Sequence, residues 1–73
     1  MYQQTIRETM ARLGRVGAAD PRHIEAWMRL EHSTLDALSP AQFSAEVSEA
    51  LNCIAASTPA ENQSLADSFG FGA

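Results

Sequence analysis

This 73-residue sequence predicts an all-α fold, a bundle of about four short helices. Three observations carry that reading. The pairs Asp20-Pro21, Ser39-Pro40 and Thr58-Pro59 recur at an even spacing of nineteen residues. Apolar residues follow each pair at helical intervals. No segment alternates with period two, and no Asn-Gly or Asp-Gly turn marks a hairpin.

The repeated pairs are helix starts. Asp, Ser and Thr are strong N-cap residues, because a side-chain oxygen accepts a backbone N–H that has no partner inside the helix. Proline suits the first helical position, where no N–H is needed and its fixed φ already fits. Gln42 and Glu61 each stand three residues after a cap, so capping boxes are expected at Ser39 and Thr58. The equal spacing raises an internal repeat. Aligned on the caps, Ile24, Phe43 and Asn62 coincide, as do Trp27, Glu46 and Leu65. The punctuation repeats, but the apolar residues do not.

Each helix then has its own pattern. The first, at about 2–14, carries Tyr2, Ile6, Met10 and Leu13 on one stripe and is stopped by Gly14 or Gly17. The second, at 21–32, places Ile24, Trp27, Met28 and Leu30 on a broad apolar face and Arg22, Glu25, Arg29 and His32 opposite. A break at "HSTLDALS" follows, since Ser33 and Thr34 favour turns over helix interiors, with Leu35 and Leu38 tucked beneath it. The third helix, at 40–56, has the cleanest stripe: Phe43, Val47, Ala50, Leu51 and Ile54. Ser44, Glu46, Ser48, Glu49 and Asn52 turn outward. The fourth, at 59–69, is short, with Leu65, Ala66 and Phe69 inward. Gly70 ends it in a Schellman stop that folds Phe71 back onto the last turn. Short connections imply that successive helices pack as neighbours.

Residues 1–73 make one domain, small enough that stability is thin: a chain of this length buries roughly 60 to 65 per cent of its unfolded surface. The single cysteine, Cys53, excludes an internal disulfide, and no Cys/His zinc set is present. Self-association as a homo-oligomer is therefore an expectation, since small scaffolds often complete their cores that way. "MYQQTIRETM" lacks the apolar run of a secretory signal, and no segment approaches the ~20 apolar residues of a membrane helix. The expected setting is the cytoplasm, and "NQS" at 62–64 is then a coincidental glycosylation sequon.

Net charge is −4, with arginine as the only basic residue besides histidine. Residues 1–29 carry five arginines against three acidic residues, a net of +2, whereas residues 30–73 carry six acidic residues and no arginine, a net of −6. Such a chain repels nucleic acid, whose binding proteins usually show a basic stripe.

No catalytic, cofactor-binding or metal motif emerges. His23 and His32 lie nine residues apart, so on one straight helix they point about 180° apart and are separated by about 13 Å along the axis. "HIE" at 23–25 lacks the Cys-x-x-Cys of a zinc deaminase. Cys53 has no activating histidine nearby in sequence, and "GRVG" at 14–17 lacks the Gly-Lys-Ser/Thr ending of a phosphate loop. Glu31 stands out, seven residues after Ile24 within the apolar stripe, and reads as a brace for the following turn.

The expected function is non-enzymatic: protein–protein interaction through acidic outer faces, with Glu46, Glu49, Glu61 and Asp67 as the partner-binding residues. A basic protein is the expected partner, without direct nucleic-acid or membrane binding. The alternatives are an acidic inhibitor of a nucleic-acid-binding protein and, behind it, a helix-turn-helix DNA binder. The glutamate-bearing third helix makes a poor major-groove reader.

Overall fold

The computed structural model describes residues 2–71. Among these residues there are four helices: α1 (Gln3–Arg12), α2 (Pro21–Glu31), α3 (Pro40–Ala56) and α4 (Pro59–Ser68). None is long and apolar enough to cross a membrane. The predicted all-α bundle is found, with each helix within two residues of its expected bounds.

The three caps work as the local chemistry requires. Asp20 accepts from the Arg22 N–H at 3.0 Å. Ser39 closes a full capping box: its hydroxyl accepts from the Gln42 N–H at 3.2 Å, and its own N–H donates to Gln42 Oε1 at 2.9 Å. Thr58 accepts from the Glu61 N–H at 3.1 Å, but the Glu61 carboxylate does not reach back. The second expected box is therefore half formed.

Two glycines end helices by the same device. Gly14 and Gly70 sit at φ 71° and 78°, a region open to glycine without Cβ strain. Around Gly14, the Arg15 N–H reaches Met10 O and the Gly14 N–H reaches Ala11 O; around Gly70, the Phe71 N–H reaches Ala66 O and the Gly70 N–H reaches Asp67 O. Both pairings are those of a Schellman stop. Because α1 ends at Arg12, Leu13 is its cap residue and stays exposed, which corrects its placement in the inward stripe.

The core gathers Ile6 and Met10 from α1, Ile24 and Met28 from α2, Leu35 from the break, and Phe43, Val47, Ala50 and Leu51 from α3. Leu38 packs against its edge, so the break between α2 and α3 plugs the core as expected.

The centre of the bundle is α2, which packs against α1, α3 and α4; α1 also meets α3. α1 with α2 and α2 with α3 pair in sequence as expected, whereas α3 and α4 both dock on α2 more than on each other, which corrects the expectation of sequential pairing for that last pair. One reason is polar. Asn62, on the first turns of α4, is buried and accepts from the Trp27 indole N–H at 2.9 Å, tying α4 to α2.

This central place overturns two assignments on α2. Glu25, expected on the solvent side, is only 2 % exposed, because α2 has neighbours around most of its circumference. Its Oε2 accepts from Arg29 Nε at 3.2 Å, and its Oε1 has no hydrogen-bond partner among the described residues. Leu30, expected inward, is 54 % exposed. It lies about 120° around the helix from Ile24, at the edge of the apolar arc and off the packed side. Phe69, likewise expected inward, is also exposed, just beyond the end of α4.

Candidate functional site

The exposed edge of α2 forms the floor of a trough whose walls are α3 and α4. On the α3 side a small cleft of about 90 Å³ is lined by Trp27, Leu30, Glu31, Glu46, Glu49 and Cys53, among others. On the α4 side an open groove of about 510 Å³ is lined by Trp27, Leu30, Ala60, Glu61, Ser64 and Leu65, together with Ser68. Trp27 and Leu30 belong to both, so the two form one surface with an apolar ridge along its middle. The larger groove has room for several side chains of a partner.

Local chemistry fixes each part of this surface. Trp27 is half-buried, held by its hydrogen bond to Asn62, which leaves part of the ring facing the trough. Asn62 Nδ2 reaches Ile54 O at 3.4 Å near the end of α3, so the same amide links the three helices that build the trough. Leu30 is one turn further along α2 and projects where no neighbouring helix covers it.

The rim is acidic. Glu31, Glu46 and Glu49 border the cleft and Glu61 borders the groove, while no arginine lines either. Of the four acidic residues expected to meet a partner, three are therefore brought together: Glu46, Glu49 and Glu61. Asp67 is not among them; it accepts from Gln63 Nε2 at 2.8 Å. Glu46 is also less exposed than its outward position on α3 suggested, because it faces His32 across the α2–α3 interface at 3.3 Å.

The arginines of α2 are occupied elsewhere. Arg22 pairs with Asp20 at 2.7 Å and donates to Phe71 O at 3.3 Å, holding the turn that follows α4. The hydrogen bonds from Arg22 hold the Asp20 carboxyl below its ordinary range, against partial burial. Arg29 packs over the rings of Tyr2 and Phe71, at 5.6 and 6.0 Å from their centres, besides pairing with Glu25. The Tyr2 hydroxyl bonds to Asp36, and that bond first of all raises the phenol above its ordinary value.

The two histidines lie apart, as their spacing implied. His23 approaches Gln63 on α4, and His32 faces Glu46 on α3. Glu31, expected as a brace for the turn after α2, instead joins the acidic rim beside His32 and Glu46.

Sequence reasoning missed the ridge and the shared rim. The apolar arc of α2, from Leu30 to Met28, spans about 160°, wider than one core-facing stripe of about 100° requires. That surplus was a signal that one edge, at Leu30 and Trp27, stays uncovered. No protein family, curated protein or solved structure matches this chain.

Proposed function

We propose that the protein is a non-enzymatic cytoplasmic binding module that captures a basic, amphipathic helical segment of another protein. The observation that supports this reading is the trough itself: an apolar ridge of Trp27 and Leu30 bordered by Glu31, Glu46, Glu49 and Glu61. A helix laid in such a trough buries its apolar face on the ridge and sets flanking lysines or arginines against the rim. Charge complementarity then orients the encounter and speeds it.

Charge also argues against a second copy as the occupant. A twofold pairing of this face would place carboxylates of both copies in the same interface, where like charges are costly. Direct nucleic-acid binding is disfavoured for the same reason, because the rim would meet phosphates. Basic segments that bind nucleic acid in their own right are one class of partner this surface would suit. That is the acidic-inhibitor reading, with the same trough as its instrument.

The test uses a synthetic amphipathic helix with leucines at i, i+3, i+4 and i+7 and lysines on its flanks, titrated against Trp27 fluorescence. Binding with a blue shift is expected, lost in Leu30→Glu and weakened in Glu46→Lys/Glu49→Lys. A matched peptide with glutamate flanks should not bind. Equal binding of both peptides, or full binding by Leu30→Glu, would remove the trough as the docking site. Retardation of duplex or single-stranded oligonucleotides at low salt would instead support the DNA-binding alternative.

A further inference from the structure

Two helices bring three metal-ligating side chains together at one edge of the trough. Glu31 ends α2, His32 is its C-cap residue, and Glu46 faces them from α3. One donor atom from each lies within 4.8 Å of the other two. His32 Nε2 stands 3.3 Å from a Glu46 carboxylate oxygen. That nitrogen is itself shielded from solvent, although the ring is partly exposed; its contact with Glu46 has ion-pair distance without hydrogen-bond geometry, and it has no hydrogen-bond partner among the described residues. A buried polar atom left in this way is uncommon and asks for an explanation.

We propose that Glu31, His32 and Glu46 bind one divalent transition-metal ion of the zinc type, through His32 Nε2 and a carboxylate oxygen from each glutamate. Four observations support the assignment. The 3.3 Å nitrogen–oxygen separation matches the ligand–ligand edge of a tetrahedral zinc site, about 3.3 Å for bonds of about 2.0 Å. The two carboxylates balance a dication, and an imidazole beside them favours zinc-like ions over calcium or magnesium. The site lies at the C-terminus of α2, where the helix dipole favours a cation. The adjoining cleft of about 90 Å³, otherwise largely apolar, is bordered by Glu31, Glu46 and Glu49 and no arginine, which leaves the Glu31 and Glu46 carboxylates open to an ion from that side.

Closing the site requires little. Three donors about 2.1 Å from a shared centre are at most about 4.2 Å apart. Glu31 is exposed, so a rotation of its side chain brings its oxygen in while the α2–α3 interface stays fixed. A water fills the fourth position. Cys53 lies two turns along α3 from Glu46, about 10 Å away along the axis, and is not a ligand. His23 is bonded toward α4 and takes no part. The inference goes beyond the docking reading and does not depend on it, because the ion binds the chain alone.

The test is calorimetric titration of EDTA-stripped protein with zinc chloride, alongside cobalt binding read by visible absorption. One zinc per chain is expected, with a dissociation constant in the micromolar range. His32→Ala and Glu46→Gln should each weaken binding about tenfold or more, since each removes a direct ligand. Glu31→Gln should also weaken it; being an exposed change, it keeps the test decisive even where His32→Ala fails to fold. His23→Ala and Cys53→Ser should bind as the parent does, and cobalt should give no thiolate charge-transfer band. Absence of zinc binding, one zinc per two chains, or loss of binding in His23→Ala or Cys53→Ser would each overturn the assignment.

Discussion

Asn62 holds, four residues after its helix cap, the place that Ile24 and Phe43 hold in the two preceding helices, and all three are buried. Its polarity there is explained by Trp27, whose indole N–H needs an acceptor once it leaves water. Glu25 is another residue whose burial the sequence did not disclose. Its carboxylate has one charged partner, Arg29, which itself packs over two aromatic rings. Arg29→Met should therefore destabilise the fold by about 3 kcal/mol, because it leaves a buried charge uncompensated. Adding Glu25→Leu to that variant should restore most of the loss, and urea unfolding of the four-member cycle measures both. A loss confined to a few tenths would show that Glu25 reaches water. Asp20 gives a pH dependence. Its carboxyl lies below the ordinary 3.8 in the folded chain, held there by Arg22. The unfolded chain thus takes up the proton first as acid is added. The stabilisation from Asp20 is complete above about pH 3.8 and is lost as pH falls through the lowered value. The difference in urea midpoint between the parent and Asp20→Asn, which keeps a capping side chain, should stay constant above that pH and shrink below it.

At the level of elements, local rules carried most of the reading. Caps and stops need only a few adjacent residues, so Asp20, Ser39, Thr58, Gly14 and Gly70 announced the helix limits from sequence alone. The nineteen-residue spacing has a structural meaning that the residue types concealed. Positions four and eight after each cap are buried in α2, α3 and α4, whether occupied by Ile24 and Met28, Phe43 and Val47, or Asn62 and Ala66. Position seven is half-buried in all three, as Trp27, Glu46 and Leu65. Positions four residues apart share one face of a helix, so burial keeps the same step from each cap. What the sequence could not show is how many neighbours a helix has. That is why α2, flanked on three sides, hid Glu25 and left Leu30 outside. The same distinction separates the two box residues. Gln42→Ala should cost about 0.5 to 1 kcal/mol, because it breaks the bond that the Ser39 N–H donates, and Ser39→Ala about 1 kcal/mol. Glu61→Ala should be nearly neutral, since its carboxylate makes no return bond. Thermal melts of the three variants check the ranking, and a Glu61 effect equal to that of Gln42 would mean that the second box closes in solution.

For the whole molecule, the charge split along the chain becomes a split in space. The arginines of α2 are drawn into ion pairs and into aromatic contacts with Tyr2 and Phe71, while four glutamates border the trough. The acidic C-terminal part could be read from sequence, but which of its carboxylates share a face depended on α3 and α4 both docking on α2. This separates Glu49, on the rim, from Asp67, which is also exposed but bonded to Gln63 outside the trough. If the trough takes a basic helix, Glu49→Lys should slow association of the lysine-flanked peptide several-fold at low salt and also raise its dissociation rate. Asp67→Lys should change the association rate less and leave dissociation as it is, because a charge off the docking face acts only at long range. Raising ionic strength from about 0.05 to about 0.5 M shortens the screening length below 10 Å, so the two variants should converge in association rate. The dissociation difference should persist, being set by contact in the bound state. Stopped-flow measurement of Trp27 fluorescence supplies both rates. Matching effects of Glu49→Lys and Asp67→Lys on dissociation would move the docking face away from the trough and leave its carboxylates as solvated surface.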